Sequence, residues 1–278
     1  MEKIGFMQGR LSAIVDGRIQ AFPWTSWQDE FEQGAKLGLR LMEWTLDQER
    51  LYENPLMTEA GQAEIRSLCQ RYQFEIASLT GDCFMQEPFW KAHGPEREAL
   101  EQDFVAIAKS CAAVGISMLV VPLVDKGSLD NPEQVEVLVA YLQSQAGFLA
   151  DNGLQVIFES DFPPPELARF IGRLAPALFG INYDMGNSAA LGFNSAEEIA
   201  AYGSRIVNVH IKDRVLNGTT VPLGTGNADF QTVFAALADA GYAGNYILQT
   251  ARAADGDHAG ALCRYRDMTV AWLKANAA

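Results

Sequence analysis

The 278-residue chain predicts an α/β fold, a single-domain (β/α)8 TIM barrel spanning residues 1–278. Three observations carry that expectation. Short β-rich runs alternate with amphipathic helical stretches eight times, at about 35 residues per strand-helix unit, which is the size and count of such a barrel. No long linker divides the chain. The last four predicted strands each end on a polar residue in the same phase, as strands do when they build a site at the carboxyl-end mouth of a barrel.

The elements follow in order. Strands are expected at Ile4–Gln8, Leu39–Trp44, Phe74–Leu79, Ser117–Val124, Leu154–Glu159, Gly180–Asp184, Ile206–Ile211 and Asn245–Gln249. Between them lie amphipathic stretches such as Glu96–Val114, Pro132–Ala150 and Phe230–Ala240. Gly38, Gly115, Gly153 and Gly241 each stand where a helix should stop, the position at which a residue in the left-handed region is favoured. Two loops at carboxyl ends of strands are long. Arg10–Trp24 carries Phe22, Pro23 and Trp24, and Gly81–Gly94 carries Phe84, Phe89 and Trp90. These aromatic residues either stack on a sugar ring or form hydrophobic lids. An open doubly wound sheet is the rival architecture, but Gly5-Phe6-Met7-Gln8-Gly9 lacks the glycine spacing that cradles a dinucleotide after a first strand.

Composition narrows the function. A hydrophobic fraction of 49% with 20% charged residues suits a soluble globular protein. The formal net charge of −14 argues against nucleic acid, whose phosphates demand a basic footprint. Four scattered cysteines, with no C-x-x-C pair, predict neither a disulfide framework nor a thiolate zinc site. Met1-Glu2-Lys3 leads straight into a predicted strand rather than into a secretory leader, and no apolar run has the roughly 20 residues of a membrane span. A cytoplasmic protein without membrane attachment is expected; homo-oligomerisation is left open.

The chemistry is concentrated in four strand ends: Phe158-Glu159, Tyr183-Asp184, Val209-His210 and Leu248-Gln249. Successive side chains of a strand point to opposite faces. If Phe158, Tyr183, Val209 and Leu248 meet the surrounding helices, then Glu159, Asp184, His210 and Gln249 face the barrel axis. Neighbouring strands lie about 4.8 Å apart, so groups on four successive strands can converge on one ion. Taken alone, any one of these residues is an ordinary helix cap or loop residue. Two carboxylates, an imidazole and an amide oxygen form an oxygen-rich set that favours one divalent Mn, Mg or Co ion over a closed zinc site. Asn182 and Asn208, in the same phase two residues earlier, are candidates to hold the ligands from behind.

These residues sit in motifs that resemble the xylose isomerase-like TIM-barrel superfamily, in its sugar phosphate isomerase/epimerase branch. The motifs are Phe158-Glu159, Tyr183-Asp184-Met185-Gly186-Asn187, Val209-His210-Ile211-Lys212-Asp213 and Pro222-Leu223-Gly224-Thr225-Gly226-Asn227-Ala228-Asp229-Phe230. They cover the carboxyl-terminal half; the amino-terminal half matches in its rhythm and in Glu43 closing strand two. The resemblance implies that Glu159, Asp184, His210 and position 249 hold the metal, and that two Glu residues move a proton between the faces of a carbon. Position 249 departs from that pattern, because Gln249 has no proton to exchange near neutral pH. Asn187 stands where the epimerases often carry a substrate-contacting His.

Around the metal set, Gln8, Arg10, Trp44, Asn187, Lys212 and Arg252 are the candidate substrate contacts. Arg10, Lys212, Arg214 and Arg252 all follow strand ends, where they capture a phosphate or carboxylate or serve as salt-bridge partners, with Asp213 beside two of them. Gly224-Thr225-Gly226 either cradles an anion on its backbone or is a turn ahead of a helix capped by Asp229. His93 and His258 are expected on the solvent side. The sequence thus predicts a metal-dependent isomerase or epimerase of a small carbohydrate, neutral or anionic, acting through an enediolate. Glu159 is the expected base, and Glu43 or a metal-bound water the second proton carrier. The alternatives are a dehydratase of the same fold and a non-catalytic barrel binding a sugar or a partner. A DNA-repair nuclease of related fold is disfavoured by only three histidines and the acidic charge.

Overall fold

Eight parallel strands close on themselves in the computed structural model, which describes residues 4–276. They are β1 (Ile4–Met7), β2 (Leu41–Thr45), β3 (Glu75–Thr80), β4 (Met118–Leu123), β5 (Gln155–Ser160), β6 (Phe179–Asp184), β7 (Ile206–Ile211) and β8 (Asn245–Leu248). Each pairs with its neighbours in sequence, and β1 closes the ring on β8 through Ile4↔Tyr246 and Phe6↔Leu248. All eight expected strands form, within two residues of their predicted ends. Gln8 and Gln249 fall just past the last ladder positions, on the rim rather than in the sheet. Residues 1–3, on which the expectation of no leader rested, lie outside the described residues.

The two faces of the barrel wall separate by phase, as alternation demands. Outward residues join the large core under the helices: Phe158 meets Phe170 edge-on at 5.2 Å, and Trp44 lies 5.5 Å from both Phe22 and Trp27. Inward residues Met7, Leu41, Ala77 and Ile247 form a small apolar cluster separate from the main core. The lumen also carries polar side chains, with Glu43, Ser78, Asn182, Asn208 and His210 all buried. Register irregularities fall at Met42/Glu43 and at Ile181/Asn182, where a local kink re-aims the inward side chains that follow.

The expected helix breaks hold. Gly38, Gly115, Gly153 and Gly241 all adopt positive φ. The stretch Pro132–Ala150 is two helices, Pro132–Ser144 and Ala146–Asp151, because the Gln145 N–H divides between the Tyr141 and Leu142 carbonyls and tightens the turn. Among the described residues no helix is long and apolar enough to cross a membrane.

Candidate metal centre

Glu159, Asp184 and His210 end β5, β6 and β7, and ligand atoms of the three lie within 4.8 Å of one another in a buried cluster. Asp184 pairs directly with His210 across the ladder. His210 Nδ1 stands 3.2 Å from Glu159 Oε2 and 3.8 Å from Asp184 Oδ2. Its other nitrogen, Nε2, donates to Glu43 Oε1 at 2.7 Å, which leaves the Nδ1 lone pair for a ligand on the carboxylate side.

Asp184 divides its oxygens. Oδ1 caps the helix Met185–Leu191 by accepting from the Asn187 N–H at 2.8 Å, and Oδ2 accepts from Lys212 Nζ at 3.1 Å. The cap role and the cluster role expected as alternatives are therefore both present. Gly186 makes the Lys212 contact possible, since a Cβ there would stand 2.6 Å from Lys212 Cγ. Burial opposes ionisation of Asp184, but Lys212 and His210 outweigh it and hold the carboxyl below its usual range. Burial likewise disfavours the His210 cation, and Glu43, Asp184 and Glu159 overcome it, so the imidazole is held protonated well above its ordinary range when only carboxylates face it.

Gln249, on the rim after β8, lines the same cavity as Glu159. Its Nε2 donates to Gln20 Oε1 at 2.9 Å, while its Oε1 is buried with no hydrogen-bond partner. The orientation is dictated from both ends. Arg10 Nη2, which can only donate, approaches Gln20 Oε1 at 3.4 Å, and Asp82 Oδ2, an acceptor, takes Gln20 Nε2 at 2.7 Å. Gln249 must then present its NH2 to Gln20 and leave its oxygen unpartnered. A buried carbonyl oxygen without a donor costs about 1–3 kcal/mol, and a cation would relieve that cost. Three converging ligands plus this orphaned oxygen fit one divalent ion.

Asn182 and Asn208 lie behind the ligands as expected. Asn182 Nδ2 reaches Glu159 Oε2 and His210 Nδ1, each at 3.1 Å, and Asn208 Nδ2 reaches Asn182 Oδ1 at 2.7 Å and Glu43 Oε2 at 3.0 Å. Glu43 itself requires correction. It is fully buried below the mouth, with Ser78, Thr80, Asn208 and His210 all donating to it. A carboxylate so enclosed cannot carry protons to a substrate; its place is to orient His210.

A cavity of about 560 Å³ opens above the cluster, lined by Glu159, Gln249, Asn187, Lys212 and Arg214 from the carboxyl-terminal half. Asn187 donates to Glu159 Oε1 and accepts from Lys212 Nζ at 3.1 Å and Arg214 Nη1 at 2.7 Å. Four other expected contacts are elsewhere. Arg10 is buried, with Nε on the Thr250 carbonyl and Nη1 on the Ile19 carbonyl, each at 3.0 Å. Arg252 holds the Gly9 and Ser12 carbonyls. Both guanidiniums tie the first loop to the last. Trp44 points outward into the core, its Nε1 on Asn54 Oδ1, and Gln8 is buried with its Oε1 on the Thr45 N–H at 3.1 Å. An X–Arg at a strand end reads the same in sequence whether it faces the mouth or ties a loop, so only the backbone path separates the two.

The loop aromatics are packing residues. Phe22, Phe84, Phe89 and Trp90 are buried among helix side chains, and none lines the cavity. The anion cradle of Gly224-Thr225-Gly226 is filled from within: Asp213 accepts from the N–H groups of Gly224, Gly226 and Ala228 at 2.9–3.0 Å, and Asp229 caps the next helix at Thr232. A Cβ at Gly226 would stand 2.3 Å from Asp213 Oδ1. Asp213 is thus engaged by the backbone and pairs with neither Lys212 nor Arg214. Sequence reasoning missed Arg18, Gln20, Asp47 and Asp82, which line the cavity from the first three loops and carry no periodic signal.

The profile of the xylose isomerase-like TIM-barrel family matches residues 31–266. The chain belongs to that family. Family relatives include L-ribulose-5-phosphate 3-epimerase UlaE of Escherichia coli, 33% identical over 102 residues, which are 36% of this chain and 34% of the relative. The chain thus matches about a third of the length of the curated relatives. Similar solved structures are the IolI protein with a bound zinc atom (TM-score 0.78, 15% identity, 99% of each chain) and D-psicose 3-epimerase with D-fructose (TM-score 0.75, 15% identity, 98% of this chain and 99% of that one). A xylose isomerase domain protein from Planctomyces limnophilus superposes with TM-score 0.76 at 16% identity, over 98% of this chain and 97% of its own. At such identities the likeness is one of fold.

Proposed function

We propose that this protein is a metal-dependent isomerase or epimerase of a small ketose or ketose derivative. The observation that carries the reading is the convergence of buried Glu159, Asp184 and His210; Glu159 lines a cavity large enough for a monosaccharide together with Gln249, whose Oε1 is buried and unpartnered. These four residues would hold one divalent ion. When bound, that ion supplies positive charge beside adjacent sugar oxygens and lowers the cost of an enediolate.

The chain's own groups account for the remaining steps. Glu159, held by the amides of Asn182 and Asn187, removes a proton from the carbon next to the carbonyl. Lys212 and Arg214, joined through Asn187, place positive charge on the same wall, where a phosphate or carboxylate of an anionic sugar would lie. The epimerase names among the relatives support this choice of chemistry and supply the first probes, L-ribulose 5-phosphate and D-fructose.

The test is metal analysis followed by turnover. Protein stripped with EDTA and reloaded with Mn²⁺, Co²⁺, Mg²⁺ or Zn²⁺ should bind about one ion per chain, melt at higher temperature, and exchange the C3 proton of one of these ketoses with D2O. No bound ion at millimolar concentration refutes the metal site. A bound ion without proton exchange across a ketose and ketose-phosphate panel assigns the chain to the non-catalytic binding barrels instead.

A further inference from the structure

We propose that Asp82 is the second proton carrier of this cavity, acting on the face of the substrate turned away from Glu159. The inference rests on the function proposed above and names the group that Gln249 cannot replace. Glu159 ends β5 on the metal side of the mouth, whereas Asp82 follows β3, diametrically across the barrel from β7 and His210. Both line the same cavity. In the ring only β4 separates β5 from β3, so the two carboxyls stand a quarter-turn apart, and a sugar lying on the ligand side meets Glu159 and Asp82 from different walls.

Of the other acids lining the cavity besides Glu159, Asp125 is exposed on the turn after β4 and the remaining two are engaged by donors. Asp47 Oδ1 accepts from Gln86 Nε2 at 2.9 Å and its Oδ2 from the Phe22 N–H at 3.3 Å. Asp161 is on the Glu159 strand end and takes the Ser128 hydroxyl. Asp82 has only Oδ2 engaged, by Gln20, and its Oδ1 has no hydrogen bond among the described residues. Gln20 fixes the carboxyl in place and links it, through one more amide, to Gln249. The charged groups acting on Asp82 are Asp47, Glu159 and Lys212, with Arg10 behind Gln20; burial first, then Asp47, raise its carboxyl to about 7, so both protonation states are present at neutral pH.

The proton inventory closes. Glu159 takes the proton from the carbon, and the C–H electron pair becomes the C=C bond of the enediolate as the carbonyl oxygen gains charge. The Asp82 carboxylic acid then gives its proton to that carbon from the opposite face, the C=O bond re-forms, and Asp82 is left ionised. Exchange with solvent returns both carboxyls to their starting states, with no redox partner required.

Wild type, Asp82→Asn and Asp82→Glu, all metal-loaded, are compared in D2O with L-ribulose 5-phosphate and D-fructose. Product formation and deuterium at C3 of the recovered substrate are followed together. Asp82→Asn should lose product formation about 100-fold or more while deuterium entry into substrate, the work of Glu159, stays within about threefold. Asp82→Glu should recover at least about tenfold of the lost rate, as a proton carrier would and a structural spacer would not. Product formation within about threefold of wild type in Asp82→Asn overturns the assignment. So does a parallel fall of product and deuterium entry in a variant of unchanged melting temperature and metal content. Absence of deuterium entry in the wild type refutes instead the proposed function.

Discussion

Replacing Glu43 by Gln probes the part of the site that lies out of reach of substrate. The side chain accepts from four donors: Ser78 at 2.6 Å, Thr80, Asn208 at 3.0 Å and His210 at 2.7 Å. An amide offers one oxygen, so half of these donors would meet an NH2 group. The Ser78 and Thr80 hydroxyls can rotate to accept, but Asn208 Nδ2 is also held by Asn182, and His210 loses its counter-charge. Removing one partner of a buried ion pair costs about 3–5 kcal/mol, which at about 2–4 °C per kcal/mol lowers melting by roughly 6–20 °C. Loss of the group that fixes the ring should also weaken metal binding by about 10- to 100-fold. The stability difference has a pH window. Burial opposes ionisation of Glu43, but His210 and the hydroxyl donors hold its carboxyl below the ordinary 4.5, so its contribution is present above 4.5 and lost as pH falls through the lower value. His210 is raised above 6.5, so its contribution is present below 6.5 and lost as pH rises through the higher value. Denaturant titrations of metal-free protein should therefore show the largest gap between Glu43→Gln and wild type between these limits. A gap under about 1 kcal/mol near pH 6, or an unchanged metal Kd by calorimetry, would refute the orienting role.

Arg10→Ala should destabilise the fold by about 1–3 kcal/mol, because it frees the buried Thr250 carbonyl and the part-buried Ile19 carbonyl, yet it should change KM equally for neutral and phosphorylated ketoses; a selective KM effect would return Arg10 to the substrate site. Gln249→Glu should tighten Mn²⁺ binding, because it adds an anionic ligand, and weaken binding of a phosphorylated sugar; it should also turn Gln20 around and withdraw its amide donor from Asp82, visible as a raised Asp82 pKa by NMR. The contribution of two buried acids to metal-free stability should fall between about pH 4 and 7. Glu30 and Asp82 are each raised to about 7, chiefly by burial, so their contributions are complete below 4.5 and 3.8 and vanish as pH rises through about 7. Asp82→Asn should remove about 1.4 kcal/mol per pH unit from that slope, and an unchanged slope in denaturant titrations would contradict the placement of Asp82.

The barrel and the buried Glu159, Asp184 and His210 cluster were legible because both follow from local periodicity. A strand alternates whatever its neighbours are, so Phe158 outward forces Glu159 inward, and the same holds for Tyr183-Asp184 and Val209-His210. Helix ends were legible for the same reason, through glycines that accept positive φ. The loops obey no such period. Arg10, Arg252 and Lys212 look alike in sequence, yet two tie backbone carbonyls and one faces the cavity, because the path of each loop decides which acceptors come within reach. Glu43 has the right phase, but its depth below the rim follows from the stagger of β2 against β3 and β7, a property of closure that no single strand encodes. The chain by itself determined the eightfold order, the inward phase and the gathering of Glu159, Asp184 and His210 into one buried cluster, since these depend on residues adjacent in sequence. Only the tertiary structure decided that Asp82 and Gln20 face that set across the mouth, because their contacts join loops 62 to 229 residues apart and are fixed by ring closure.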